Sequence, residues 1–222
     1  MPDFSQRSDA VEIMDDLNCS GPVVGQTLVE LEFINKWLGG NAVTMDGLNS
    51  LLLENRMAPE WMLTVADLGC GRGDMLKHLS AYLKRKNLTA GFIGIDANPN
   101  IIDFAEKNSQ SVTDIKYQTL DILSNDFRSH QYDIIFATLF FHHFTTAQLV
   151  EIFKSLKNQA TIGIVINDLH RHWLAYYSIK MLTRFFSKSS MVKYDAPLSV
   201  LRGFRKDELI EILQKAGIKT FS

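Results

Sequence analysis

Met62-Leu-Thr-Val-Ala-Asp-Leu-Gly-Cys-Gly-Arg-Gly-Asp74 is the stretch on which the reading of this chain turns. An apolar run, Met62 to Leu68, carries one acid near its end, Asp67, and breaks into glycines at 69, 71 and 73. A helical pattern comes directly after, from Asp74 through Lys86. The order is strand, glycine turn, helix. Glycine accepts the backbone angles such a turn needs and keeps no side chain between the main chain and a ligand. The helix start behind it presents unpaired N–H groups and a partial positive charge, a setting for a nucleotide-like ligand with a carboxylate or phosphate. An ordinary tight turn is the alternative, so the weight falls on the residues that end the later strands.

Spacing separates two cofactor classes. The dinucleotide fingerprint G-x-G-x-x-G needs a third glycine for close helix–strand packing. Gly69 and Gly71 fit it, but Asp74 stands at the third position, and a carboxylate there repels a pyrophosphate. Downstream, strands are expected at Ala90–Asp96, Ile115–Leu120, Tyr132–Thr138 and Ala160–Asn167. Helices are expected from Asn98-Pro99 onward, from the Thr145/Gln148 capping box through Leu156, from about His170 to Phe186, and from Lys206 to Ala216. Continuous apolar strands separated by helices predict a parallel sheet covered on both faces. Residues 218–222 could begin a sixth strand.

Ahead of this region, residues 1–60 read as a helical cap or lid. An apolar stripe at 24, 28, 31, 34 and 38 ends at Gly39-Gly40, and a short helix is expected over Asp46–Arg56, stopped by Pro59. The expected organisation is therefore a cap over 1–60 and one α/β unit over 61–222.

Composition bounds the function. The 222 residues suit one α/β domain with an appendage, and 46% hydrophobic residues allow a real core. A net charge of −2 argues against a protein built to hold nucleic acid. No apolar run reaches membrane-spanning length, and the first residues lack a signal pattern. Two cysteines, Cys19 and Cys70, form neither a disulfide framework nor a zinc site, so a cytoplasmic location and no metal are expected.

Ligands of open α/β sheets sit beyond the carboxyl ends of the strands. There stand Asp96, placed to accept ribose hydroxyls, and Asp121 with Ile122, placed for an adenine amine and ring. The fourth strand ends in Ala137-Thr138-Leu-Phe-Phe-His-His-Phe144. This ordered set, behind D-x-G-x-G-x-G at 67–73, resembles the class I S-adenosylmethionine (SAM) methyltransferases, over roughly residues 60–168 and nearest the bacterial quinone-biosynthesis and polyketide-tailoring type. The resemblance implies a Rossmann-like sheet of the seven-stranded type, mostly parallel, with its last strand missing here. It also implies a SAM site made of Asp67, Leu68, Gly69, Cys70, Gly71, Gly73, Asp96, Ala97, Asp121, Ile122, Ala137 and Thr138. The flanking stretches Glu12-Ile-Met-Asp-Asp16, Glu32 to Gly40, Asn167-Asp-Leu-His-Arg171 and Pro197 to Arg202 are similar to a branch encoded among tailoring enzymes.

Methyl transfer from a sulfonium is an in-line displacement that rests on alignment. A phenolic acceptor gains from a base, and histidine suits that work. His170 is the expected base, His142 a cofactor-edge or substrate contact, and Arg171 a bidentate partner for a substrate carboxylate or phenolate. Asp168 is expected to orient His170 or cap the helix. Phe140, Phe141, Trp173, Tyr176 and Tyr177 would line an aromatic pocket. No Asn-Pro-Pro-Tyr or Asp-Pro-Pro-Tyr follows the fourth strand, which favours an oxygen or carbon of a small, phenol- or quinol-like molecule over a base or glutamine nitrogen. The competing functions are a non-catalytic SAM-fold binding module, an NAD-dependent oxidoreductase and a methyltransferase for RNA or protein. A homodimer is left open.

Overall fold

The computed structural model describes residues 2–55 and 61–221. Arg56 and Pro59, expected to end the second helix, lie outside the described residues. Within these bounds five strands, β1 (Met62–Leu68), β2 (Thr89–Asp96), β3 (Ile115–Thr119), β4 (Tyr132–Thr138) and β5 (Ala160–Asn167), pair in the order 3-2-1-4-5. All four pairings are parallel. The order reverses between β1 and β4, which opens a crevice above their carboxyl ends.

Period-two alternation feeds both faces. In β4, Ile134 and Phe136 enter one core cluster while Ile135 and Ala137 enter the other. That is why the strand reads as an unbroken apolar run. One face is covered by α2 (Gly40–Asn55), α3 (Asp74–Arg85) and α4 (Pro99–Asn108), whose Leu48, Leu76, Leu79, Leu83 and Ile102 pack on Val65, Phe92 and Phe136. The other is covered by the short α5 (Asn125–Arg128), α6 (Thr146–Gln159) and α9 (Lys206–Lys215), through Phe127, Leu149, Phe153, Leu156, Ile212 and Leu213. Two local signals act as expected. Asn98 Oδ1 accepts from the Asn100 N–H at 2.9 Å with Pro99 at the first helical position, and Thr145 and Gln148 cap each other reciprocally. Gly217 closes α9 at φ 79°.

Four expectations change. The sheet has five strands among the described residues, not the seven of the resemblance, and the sixth does not form. Beyond Gly217, Ile218 packs into the core, and residues 218–221 join no ladder. The helix expected from His170 begins at Trp173 (α7, Trp173–Phe186), because His170 is held in a parallel bridge with Phe204. There Phe204 N–H donates to Leu169 O at 2.8 Å and Arg171 N–H to Phe204 O at 2.9 Å. The helical reading of the first sixty residues fails at its start. Helix α1 spans Pro22–Trp37, and before it lies an extended strap with one 3-10 turn at Ile13–Asp15. Helix α2 starts at Gly40, six residues earlier than its pattern suggests, because its inward positions include the buried Thr44 and break the apolar stripe. The sequence pattern also shows nothing over α8 (Ser190–Arg202), whose buried face carries Asp195, Ser199 and Arg202 and whose interior holds Pro197. Among the described residues no helix is long and apolar enough to cross a membrane.

The stability of the α6 face has a direct check. Phe153 packs edge-to-face on Phe141 with ring centroids 4.8 Å apart, both fully buried. Phe153→Ala is expected to cost about 3–5 kcal/mol in urea unfolding. Phe185→Ala, at a side chain 71% exposed, should stay within about 0.5 kcal/mol of the parent.

Candidate functional site

The glycine turn joins β1 to α3 with Gly69, Gly71 and Gly73 all at positive φ, 65°, 51° and 75°. Such angles strain any residue with a Cβ. Space excludes one too: a Cβ on Gly69 would lie 2.1 Å from the Phe140 ring, and one on Gly73 would lie 1.9 Å from the Tyr117 hydroxyl. The N–H groups of Gly69 and Cys70 both donate to Ile95 O, at 2.9 and 3.1 Å, locking the turn onto β2. Leu68, Cys70 and Ala137 are buried beneath it. Asp74, in the first turn of α3, is held by Lys77 at 2.7 Å and faces Arg72 at 3.8 Å.

Two acids face each other across this turn. Asp67 is buried, and burial followed by the Asp96 charge pushes it up to about 7. Asp96 is raised to about 6 by burial, although the N–H groups of Asn98, Gly71 and Ala97 and the His143 ring pull it down. No donor among the described residues relieves Asp67. Two carboxylates so placed call for a cation and for hydroxyl donors. A ligand with an ammonium group and a vicinal diol fits that demand, which is the amino acid and ribose of SAM. Phe140, lying on Gly69, offers a ring face to a sulfonium.

The N-terminal segment roofs the crevice. Asn98 Nδ2 donates to Cys19 O at 3.0 Å. Leu28 of α1 stands over Gly71, and Glu32 pairs with Arg72 at 3.7 Å. The Thr138 hydroxyl meets that of Thr44 in α2 at 3.1 Å.

Other expected residues lie elsewhere. Asp121 is exposed and accepts the Leu123 N–H at 2.8 Å in its own turn. Ile122 is a core residue packed with Leu120 and Phe127, so its side chain forms no open adenine wall. Arg171 does not reach for a substrate. It is enclosed and bound to Glu208 at 2.5 Å and to the carbonyls of Gly203 and Phe4 at 2.7 and 3.2 Å. Asp168 does not orient His170. It holds His142 Nδ1 at 2.7 Å and, against the cost of burial, stays below the usual carboxylate range through the His142 charge and hydrogen bond. His142 itself is buried. His170 keeps an exposed ring, 5.9 Å from that of His172.

Around His142 and His143 the structure assembles residues that sequence reasoning left unassigned. The strap contributes Glu12 and Asp15, and α8 contributes Asp195, Ser199 and Arg202. Asp15 accepts from His143 Nδ1 at 2.6 Å and from Arg202 at 2.5 Å, and these bonds outweigh its burial and hold it at about 2. Glu12 is pushed up to about 7, mainly by burial. All of these but Asp195 fall within stretches that the sequence resemblance had marked in the flanks, but nothing in their spacing showed that they meet.

Residues 65–160 match the family model described as a methyltransferase domain. No curated protein matches the chain by sequence. Among solved structures the chain is similar to the plantazolicin methyltransferase BpumL, in complex with a triazolic desmethylPZN analog and S-adenosylhomocysteine (SAH). The identity is 21% and the TM-score 0.62, over 79% of this chain and 62% of that one. It is also similar to the SAH-bound magnesium protoporphyrin IX methyltransferase ChlM from Synechocystis PCC 6803, at 18% identity and TM-score 0.55, over 81% and 74% of the two chains. A third likeness is to the CurJ carbon methyltransferase, at 18% and 0.57, over 79% and 46%. The chain thus spans less than two thirds of the BpumL chain in its triazolic complex. Residues 65–160 match a methyltransferase domain, and the likeness to these solved structures shows a Rossmann-like fold.

The Asp67–Asp96 pair has a pH signature. A carboxyl raised on folding contributes stability below its unfolded pKa and loses it as pH rises through its folded pKa. From pH 5 to 8, crossing about 6 and about 7, these two groups therefore lower the melting temperature of the unliganded protein. Asp67→Asn should raise that temperature at pH 8 by roughly 3 °C or more and flatten its pH dependence, while weakening SAH binding. Scanning calorimetry of both proteins, with and without SAH, checks each sign.

Proposed function

We propose that this chain is a SAM-dependent methyltransferase that moves the methyl group to an oxygen or carbon of a small, phenol- or quinol-like aromatic metabolite. One observation carries the reading: a fully buried acid with no described cation, Asp67, and the half-buried Asp96 close the ends of adjacent strands around a glycine turn, and both are shifted upward. SAM supplies an electrophilic methyl on a sulfonium. Asp67 answers its ammonium group, Asp96 its ribose hydroxyls, and the Gly69–Gly73 main chain leaves room for both. Phe140 and the neighbouring Phe144, ring centroids 5.2 Å apart, form the apolar wall toward the acceptor. The segment from Cys19 to Glu32 is the lid, which opens to admit the cofactor and closes to exclude water. His170, whose ring is free, takes the acceptor proton. His142 and Arg171 serve the architecture instead. The acceptor class is drawn from the aromatic residues after β4 and from the sequence resemblance, and the absence of a basic surface excess favours a metabolite over RNA.

Calorimetric titration with SAM, SAH and NADH is expected to give heat for the first two only. Incubation with methyl-labelled SAM and a panel of phenols, quinols and polyketides should label an acceptor, and NMR of the product identifies the methylated atom. Binding without any transfer would instead favour a SAM-fold module that does no chemistry, and no SAM binding at all would end the proposal. His170→Gln should lower kcat by roughly 100-fold or more and abolish the rise of rate with pH. An unchanged profile would place the base elsewhere.

A further inference from the structure

Glu12 of the strap and His142 and His143 of the 3-10 turn after β4 converge so that one carboxylate oxygen and one ring nitrogen from each histidine lie within 4.8 Å of one another. Glu12 Oε1 stands 3.7 Å from His142 Nε2, its side chain only 3% exposed, and has no hydrogen-bond partner among the described residues. A carboxylate oxygen buried without a partner is costly unless something positive meets it.

Both imidazoles are already oriented through their Nδ1 atoms, His142 by Asp168 at 2.7 Å and His143 by Asp15 at 2.6 Å. A carboxylate behind each imidazole is how metal-ligating histidines are held. Their ring centroids lie 4.2 Å apart, a contact that two imidazolium ions would resist and two neutral ligands accept. Arg202 comes within 3.6 Å of the same Glu12 oxygen, but its N–H groups go to the carbonyls of His142, Ala10 and His143 and to Asp15. Four carboxylates (Glu12, Asp15, Asp168, Asp195) meet two guanidiniums (Arg7, Arg202) here, an excess of two negative charges.

We infer that Glu12, His142 and His143 bind one divalent transition-metal ion of borderline softness, of the zinc class. Two imidazoles and a carboxylate suit such an ion, whereas all-oxygen sets suit calcium and magnesium. Metal–ligand bonds of about 2.1 Å in tetrahedral array place ligand atoms about 3.5 Å apart, so the Glu12–His142 pair at 3.7 Å needs a contraction of a few tenths of an ångström, and the set as a whole, within 4.8 Å, closes by rotation of its side chains. Three protein ligands leave a position for a water or another oxygen ligand. The ion would pin residue 12 of the strap to the end of β4. This inference stands apart from the methyl-transfer reading, because its ligands and its readout do not involve SAM.

The test uses the full chain without an affinity tag, stripped by a chelator and titrated with Co(II) as the spectroscopic probe. One equivalent should bind with a visible d–d band, be displaced by one equivalent of Zn(II), and raise the melting temperature. Glu12→Gln and His143→Gln should each abolish the band, and Asp168→Asn should weaken Co(II) about 10- to 100-fold. His78→Gln, at an exposed histidine of α3, should change nothing. Far-UV circular dichroism of the metal-free variants reports folding. If Glu12→Gln fails to fold, His143→Gln, at a side chain 24% exposed, carries the comparison. A wild-type protein that shows no band and retains no metal at tens of micromolar, or a band that survives in the folded variants, overturns the site.

Discussion

A parallel sheet buried on both faces has only its strand ends to offer a ligand, and that constraint organises everything else in this protein. Each of the central strands spends alternate side chains on two cores, as Ile134 and Phe136 do against Ile135 and Ala137. Their buried middle positions are apolar, and their polar residues fall near the ends, as Asp133 and Thr138 do in β4. The chemistry is therefore displaced to the residues that finish β1, β2 and β4 and to the loops behind them: Asp67, Asp96, the glycine turn, and the two histidines after Phe141. The order reverses between β1 and β4, the place where open α/β sheets part their loops to receive a ligand.

At that end of the sheet two electrostatic environments lie close together and are built in opposite ways. Around the glycine turn, Asp67 is buried with no cation and Asp96 is half-buried, and both are shifted upward. Around the histidines, acids are interleaved with Arg7, Arg202 and two imidazoles, and Asp15 and Asp168 are held low. Glu12 and Asp195 are the exceptions in the second group, both raised mainly by burial; Glu12 has one oxygen on the Ser199 hydroxyl at 2.7 Å and the other without a donor. His143 joins the two environments, because its ring acts on Asp96 and on Glu12 alike.

The strap is what completes the second environment, and guanidinium groups hold it there. Arg7 donates to the carbonyls of Arg202, His142 and Phe144 and lies 4.4 Å over the Phe204 ring. Arg171 and Arg205 hold the Phe4 carbonyl, and Glu208 anchors the Arg171 side chain and caps α9 through the Arg205 N–H. Planar, multiply donating groups suit this work, since one arginine spans several carbonyls at fixed angles. Arg171 looks like a substrate-binding residue in a sequence because arginine is used for both purposes, and only its partners distinguish them.

The amino-acid sequence by itself determined the sheet, its parallel sense, the glycine turn and the two acids that flank it. These rest on local signals: unbroken apolar runs of strand length, glycines where φ must be positive, and caps such as Asn98-Pro99 and Thr145/Gln148, each read within a few residues. Tertiary structure alone decided the strap, helix α8, the bridge of His170 to Phe204, the burial of Ile122 and Arg171, and the meeting of Glu12 with His142 and His143. Those features are held by side chain–backbone bonds, buried polar faces and one short bridge, between segments far apart along the chain. They leave no periodicity in the chain, because their partners are chosen by how the finished core folds the backbone back on itself.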